Sequence, residues 1–144
     1  MTVSRRISLL IGLTTLTIIG CGGPPAASAV KVTVVSSKVK LEDTDSINVS
    51  FEPDGSGATA AASGSAKDQP LMAKGSNSTG VMPGKYKLAV KISPYQGQAP
   101  ERVRAMGEFS QQFAVATTPL KCEITAEPEQ AITIDLDAKT VTKK

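Results

Sequence analysis

No histidine and no tryptophan occur in this chain of 144 residues, and only two cysteines do. Without histidine, the commonest general base near neutral pH and the commonest metal ligand are both missing. Without tryptophan, and with aromatic residues limited to Phe51, Phe109, Phe113, Tyr86 and Tyr95, there is little from which to build a stacking platform for sugars or bases. Charge is also scarce. Lysine plus arginine number 16 against 13 acids, a net charge of +3, and without Arg5 and Arg6 near the start this falls to +1. A nearly neutral domain has no electrostatic case for nucleic acid. Neither Lys143-Lys144 nor the Arg102 and Arg104 pair makes a basic stripe, so both read as solvated surface.

Long hydrophobic runs are missing too, with one exception. Residues 7–20, I-S-L-L-I-G-L-T-T-L-T-I-I-G, are apolar and uncharged and follow Arg5-Arg6. A bilayer core of about 30 Å needs roughly 20 such residues, so these 14 read as the apolar region of an export signal rather than a transmembrane span. The run ends in I-I-G-C, residues 18–21, which resembles the lipobox of bacterial lipoproteins. Ile18 stands where leucine is most usual, Gly20 is the small residue before the cut, and Cys21 is the residue that would carry lipid. The resemblance implies cleavage between Gly20 and Cys21, diacylglycerol on the thiol and a further acyl chain on the freed amine. One chain binds a membrane marginally, and two or more hold it stably. Ser8 after Ile7 stands where a twin-arginine signal has an aromatic residue, which favours the general export route. Gly22, rather than aspartate, after the cysteine favours the outer over the inner membrane. Residues 22–29, G-G-P-P-A-A-S-A, are a tether that extends at most about 26–29 Å. The expected division is a leader over 1–20, a lipidated cysteine and tether over 21–29, and one domain over 30–144.

Beyond residue 30 the hydrophobic period is two. Val30, Val32 and Val34 alternate with polar neighbours. So do Ile47, Val49 and Phe51; Tyr86, Leu88, Val90 and Ile92; Leu120, Cys122 and Ile124; and Ile132, Ile134 and Leu136. Each set predicts a half-buried antiparallel strand. Turn sequences at 42–45, 53–57, 82–84 and 127–129 separate them. Two weaker strands are expected at 58–65 and 70–75. About seven strands point to an all-β, antiparallel β-sandwich, immunoglobulin-like or transthyretin-like, with under about one-tenth helix. The low-complexity stretch 55–66 reads as a loop or a poor edge strand. Only 99–107 suggests helix, one or two turns with Pro100 first and Gly107 past the end.

The segment I-N-V-S-F-E-P-D-G at 47–55 and G-V-M-P-G-K-Y-K-L-A-V at 80–90 resemble carboxypeptidase-regulatory-like, or transthyretin-like, sandwich domains of small planctomycete-type envelope lipoproteins. The tail at 117–124 and 131–136 is similar to the C-terminal hairpin of that family. Two departures are the absence of a D-G-x-F turn around 66–75 and E-D-T-D-S in place of a D-G-K-P turn. The resemblance implies a sandwich and no catalytic residues.

The remaining candidates read as structural. Cys122 alternates inward and predicts an inert buried thiol. Asp43 and Asp45 with Glu42 lack the third ligand and the glycine of a Ca²⁺ loop and read as an acidic turn. Asp135 and Asp137 share a strand face that would meet Lys85, Lys87 and Lys91 if those strands paired. Ser28 and Ser37 precede Lys31 and Lys40 by three residues, a spacing that serves catalysis only on a helix. No catalytic residue, metal ligand or cofactor is assigned. The expectation is a non-enzymatic envelope protein, lipid-anchored through Cys21, with its domain in the periplasm or at the cell surface. It would bind an envelope protein or polymer and no nucleic acid. Tyr95, in S-P-Y-Q-G-Q at 93–98, is the candidate contact. The alternative is a periplasmic accessory domain that binds a small ligand or metal ion using the loops at 53–58 and 93–108.

Overall fold

Alternation along a strand puts one set of side chains on one face, so a sheet with an aliphatic face must curl or pack to bury it. The computed structural model describes residues 25–77 and 79–144, and there the sheet curls. Gly20 and Cys21 lie outside the described residues. Eight strands run as β1 (Ala29–Val35), β2 (Ser46–Pro53), β3 (Ala60–Ser65), β4 (Leu71–Gly75), β5 (Gly84–Ser93), β6 (Lys121–Ile124), β7 (Glu129–Asp135) and β8 (Thr140–Lys143). One helix, α1 (Pro100–Gln111), separates β5 from β6. The order across the sheet is β6-β5-β2-β3-β4-β1-β7-β8. The result is all-β, 45% strand and 13% helix among the described residues, a nearly closed, barrel-like sandwich.

The inward positions are those that the alternation marks. Val30, Val32, Val34, Ile47, Val49, Phe51, Leu88, Val90, Ile92, Ile132, Ile134 and Leu136 are all buried, joined by Met106 and Phe113 from α1 and the turn after it. Phe51 and Tyr86 meet edge to face at 5.9 Å.

Four expectations are corrected. Among the eight strands, β1 pairs with β7 in parallel where an antiparallel sheet is expected, Val30 beside Gln130 through Val35 beside Asp135. Side-chain alternation is the same in parallel and antiparallel ladders, so the period could not reveal this. The low-complexity stretch is no edge: β3 sits inside the sheet between β2 and β4. Its small residues face large ones. Ala60 is opposite Phe51, Ala62 opposite Val49, and Gly64 opposite Ile47. A Cβ on Gly64 would come within 2.7 Å of Leu71 Cδ2. Small residues here make room for bulky neighbours, which is how a curled sheet fills its interior.

The helix is the third correction. It runs twelve residues, beyond Gly107, because Met106 and Phe109 pack on the core and Ser110 joins β5. An exposed Gly107 costs about 1 kcal/mol of helix propensity, less than that packing returns. Last, Asp135 and Asp137 do not approach the lysines of β5, since β7 pairs with β1 and β8. Asp135 accepts from the N–H groups of Asp137 and Ala138 at 2.9 Å and shapes the β7–β8 turn.

Register also fixes what lies at each end. Pro53 is opposite Tyr86 and Ala29 opposite Glu129, while Ser46 is opposite Ser93 and Val35 opposite Asp135. The loops at 53–59 and 125–128, with residues 76–77 and 79–83, therefore share the end from which residues 25–28 leave β1. The loops at 36–45, 66–70, 94–99 and 136–139 form the far end. The segments 53–58 and 94–99 therefore lie at opposite ends, and the second part of 93–108 belongs to α1.

Candidate binding site

The strand β6 is short and pairs only with Gly84–Lys87, the first half of β5. The second half would be a bare edge, with unpaired N–H groups open to aggregation. Instead, α1 and the turn after it lie along it. Leu88 N–H donates to the Leu120 carbonyl at 3.0 Å, Val90 N–H to Phe113 at 3.0 Å and Ile92 N–H to Ser110 Oγ at 3.1 Å. Thr118 Oγ1 donates to the Leu88 carbonyl at 2.6 Å.

A helix fastened beside a strand leaves a hollow where its side chains are small. Ala89, on the outer face of β5, and Gly107 and Ala114 opposite it are small. They help line a groove of about 730 Å³ between β5 and α1. Its rim carries Tyr95, Val103 and Val115, three of the five large hydrophobic residues exposed among those described. Tyr95 is 62% exposed, so it stands out from the rim rather than packing beneath it.

Both ends of α1 are held. At the far end of the barrel, Arg102 reaches the β1–β2 loop. Its Nη1 and Nη2 donate to Asp45 Oδ1 and Oδ2 at 2.9 and 2.7 Å, and Nη2 also donates to the Lys40 carbonyl at 3.1 Å. Asp45 is wholly buried and accepts from Glu42 N–H at 2.8 Å. Burial, the strongest single influence on its carboxyl, pushes its pKa up; the Arg102 hydrogen bonds and charge, with the Glu42 N–H, outweigh it and hold the group below its ordinary value. Gln98 Nε2 donates to Glu42 Oε2 at 2.9 Å and ties the 94–99 loop to the same anchor. Arg102 and Asp45 are thus neither solvated surface nor a cation site but a bidentate pair that positions the groove wall.

The other candidates are committed elsewhere. Ser37 Oγ donates to Asp137 Oδ2 at 2.6 Å, and Ser37 N–H donates to the same oxygen; Ser36 Oγ and Lys38 N–H add further donors. Led by the Ser37 hydroxyl, these bonds bring the Asp137 pKa down to about 2. Ser28, buried, donates to the Thr125 and Glu127 carbonyls at 2.8 and 2.6 Å and fastens the start of β1. Among the described residues no group of three or more Cys, Asp or Glu side chains is placed to hold a metal ion. Nor is any helix among them long and apolar enough to cross a membrane.

Cys122 stands opposite Tyr86 across the β5–β6 ladder, half-buried against the core. Burial pushes its thiol up to about 12, against a smaller opposing effect of Lys143. The thiolate is the reactive form. Maleimide at pH 8 should therefore leave the folded domain unlabelled at Cys122 and label it fully in denaturant. Rapid native labelling would show a reactive thiol and reopen nucleophilic chemistry.

Of the groove residues, the sequence marks Tyr95 as a contact and takes in Val103 and Gly107 only within the stretch 93–108. Val103 and Val115 lie in segments without a strand period. Lys91 reads as one more outward lysine on a strand. No family model matches the chain, nor does any curated protein or solved structure.

Proposed function

We propose that this chain is a non-catalytic envelope lipoprotein, cut between Gly20 and Cys21, held on a membrane by lipid on Cys21, and acting by binding through the groove between β5 and α1. The leader pattern and the I-I-G-C motif support the anchor. The convergence of Tyr95, Val103 and Val115 on one groove carries the binding role. Monomeric domains rarely gather exposed apolar side chains without a use for them. Asp45, Asp137, Ser28 and Cys122 are engaged in structure or shielded, which favours binding over turnover. The groove lies toward the end opposite the tether, so a domain anchored through Cys21 would present it away from the membrane. The carboxypeptidase-regulatory-like resemblance belongs to this proposal. Its F-x-P motif, Phe51 to Pro53, closes β2, and its P-G-x-Y motif, Pro83 to Tyr86, opens β5.

Of a macromolecule and a small ligand, the small ligand better suits the groove. Its volume falls within the ~300–1,000 Å³ of small-molecule sites and its lining is mainly apolar, which favours the small ligand.

Two measurements test the proposal. Mass spectrometry of the membrane fraction should find lipid on a peptide beginning at Cys21, and Cys21→Ala should release the protein from the membrane. A photo-crosslinking amino acid at position 95 of the full chain should capture a defined adduct in living cells, while one at position 54, at the opposite end, should not. Membrane retention of Cys21→Ala would refute the lipid anchor. The same adducts at both positions, or none at 95, would refute the groove.

A further inference from the structure

We infer that the groove binds a free long-chain fatty acid, with the carboxylate at Lys91 and the alkyl chain among the apolar side chains between β5 and α1; this rests on the groove being the binding site. Lys91 is the only charged residue in the lining, and no acid joins it there. Its ammonium forms none of the salt bridges found among the described residues. Its cross-strand neighbour on β2 is Asn48, a neutral residue whose amide is engaged with Ser63 and Ser50. A lone cation in an otherwise uncharged, mainly apolar trough favours a ligand with one anionic end and an aliphatic body.

The shape agrees. The floor follows Ala89–Ser93, four rises of about 3.3 Å each along an extended strand. Lys91 stands midway along this floor, so a chain headed there turns across the groove toward Val103 and Val115, and the volume has room for one chain rather than a diacylated lipid. A cationic amphipathic helix would place its charge against Lys91. Each buried methylene contributes to affinity by leaving water, while Lys91 selects the head.

The experiment feeds cells expressing the full chain a palmitic acid analogue bearing a diazirine and an alkyne, irradiates them and maps the labelled peptides. Label is expected on peptides from 88–97 and 103–115, separate from any acyl label on the Cys21 peptide. Lys91→Glu should lower groove labelling about three- to tenfold, the range for losing one charge-assisted contact and gaining repulsion. The corresponding uncharged alcohol should label the wild type more weakly than the acid. Gly107→Leu tests the cavity without threatening the fold, because an added Cβ there meets nothing within 4 Å and leucine favours helix. It should cut groove labelling about tenfold or more by occupying the trough. Label confined to the Cys21 peptide, or groove labelling indifferent to Lys91→Glu and to Gly107→Leu, overturns the inference. If position 95 still captures a macromolecule in that case, the groove remains a binding site with a different occupant. If it captures nothing, both readings fall.

Discussion

Arg102→Met should lower the unfolding free energy by about 3–5 kcal/mol at neutral pH, the cost of leaving a buried charge without its partner. Asp45 is wholly buried, and two of its strongest hydrogen bonds come from Arg102. Methionine keeps the apolar stem, so the loss reports the ion pair rather than packing. The pH dependence follows from the direction of the shift. The folded pKa of Asp45 lies below its ordinary 3.8. The stability this contributes is present above that value and disappears as pH falls through the folded pKa. Without Arg102 the carboxyl should titrate higher, so the gap between variant and wild type should narrow below about pH 4. Asp137 titrates in the same sense. Its folded pKa of about 2 adds to stability above the ordinary value and is lost toward pH 2 in both proteins. Urea unfolding across pH, followed by far-UV circular dichroism, reads all of this. A loss below about 1 kcal/mol, as for an exposed pair, would mean that Asp45 is solvated. Replacing both partners with apolar residues should recover much of the loss, because no charge is then left buried.

Phe51→Ala should cost about 3–5 kcal/mol, the range for deleting a buried aromatic side chain. Phe51 is fully buried, packs edge to face on Tyr86, and faces Ala60 on one side and Leu88 on the other. Ala60 cannot refill the space, and the paired strands hold it in place. Against a typical 5–15 kcal/mol for a whole domain, this is enough to unfold a marginal protein on warming. Phe51→Leu, which keeps most of the volume, should cost less than half as much. Thermal unfolding checks both. A loss for the alanine variant within about 1 kcal/mol would place Phe51 outside the core. Phe51 lies toward the tether end, away from the groove, so the folded fraction should still take the crosslink at position 95.

Five strands and their inward faces were determined by the sequence alone, because an aliphatic residue at every second position has one low-energy arrangement: a half-buried strand. Charge near neutrality and the missing histidines narrowed function in the same direct way, through chemistry that needs no coordinates. Pro100 as the first helical residue was also legible, since its fixed φ and missing N–H suit that position alone. The rest depended on contacts between residues far apart in the chain. The weak strands expected at 58–65 and 70–75 are β3 and β4, but Ala60, Ala62 and Gly64 look fit only for an edge until Phe51, Val49 and Ile47 are seen opposite them. The parallel β1–β7 pair leaves no mark on the period of either strand. Helix α1 outruns Gly107 because Phe109 and Ser110 find the core and β5. Asp45 in an acidic turn and Arg102 on a solvated face, 57 positions apart, show no link in the sequence, and the fold places them 2.7 Å from one another. The groove is the clearest case: Ala89, Lys91, Tyr95, Val103 and Val115 share no periodic signal. A strand keeps its pattern wherever it goes, because local geometry sets it. A site between a strand edge and a helix exists only once tertiary packing has chosen which edge the helix covers.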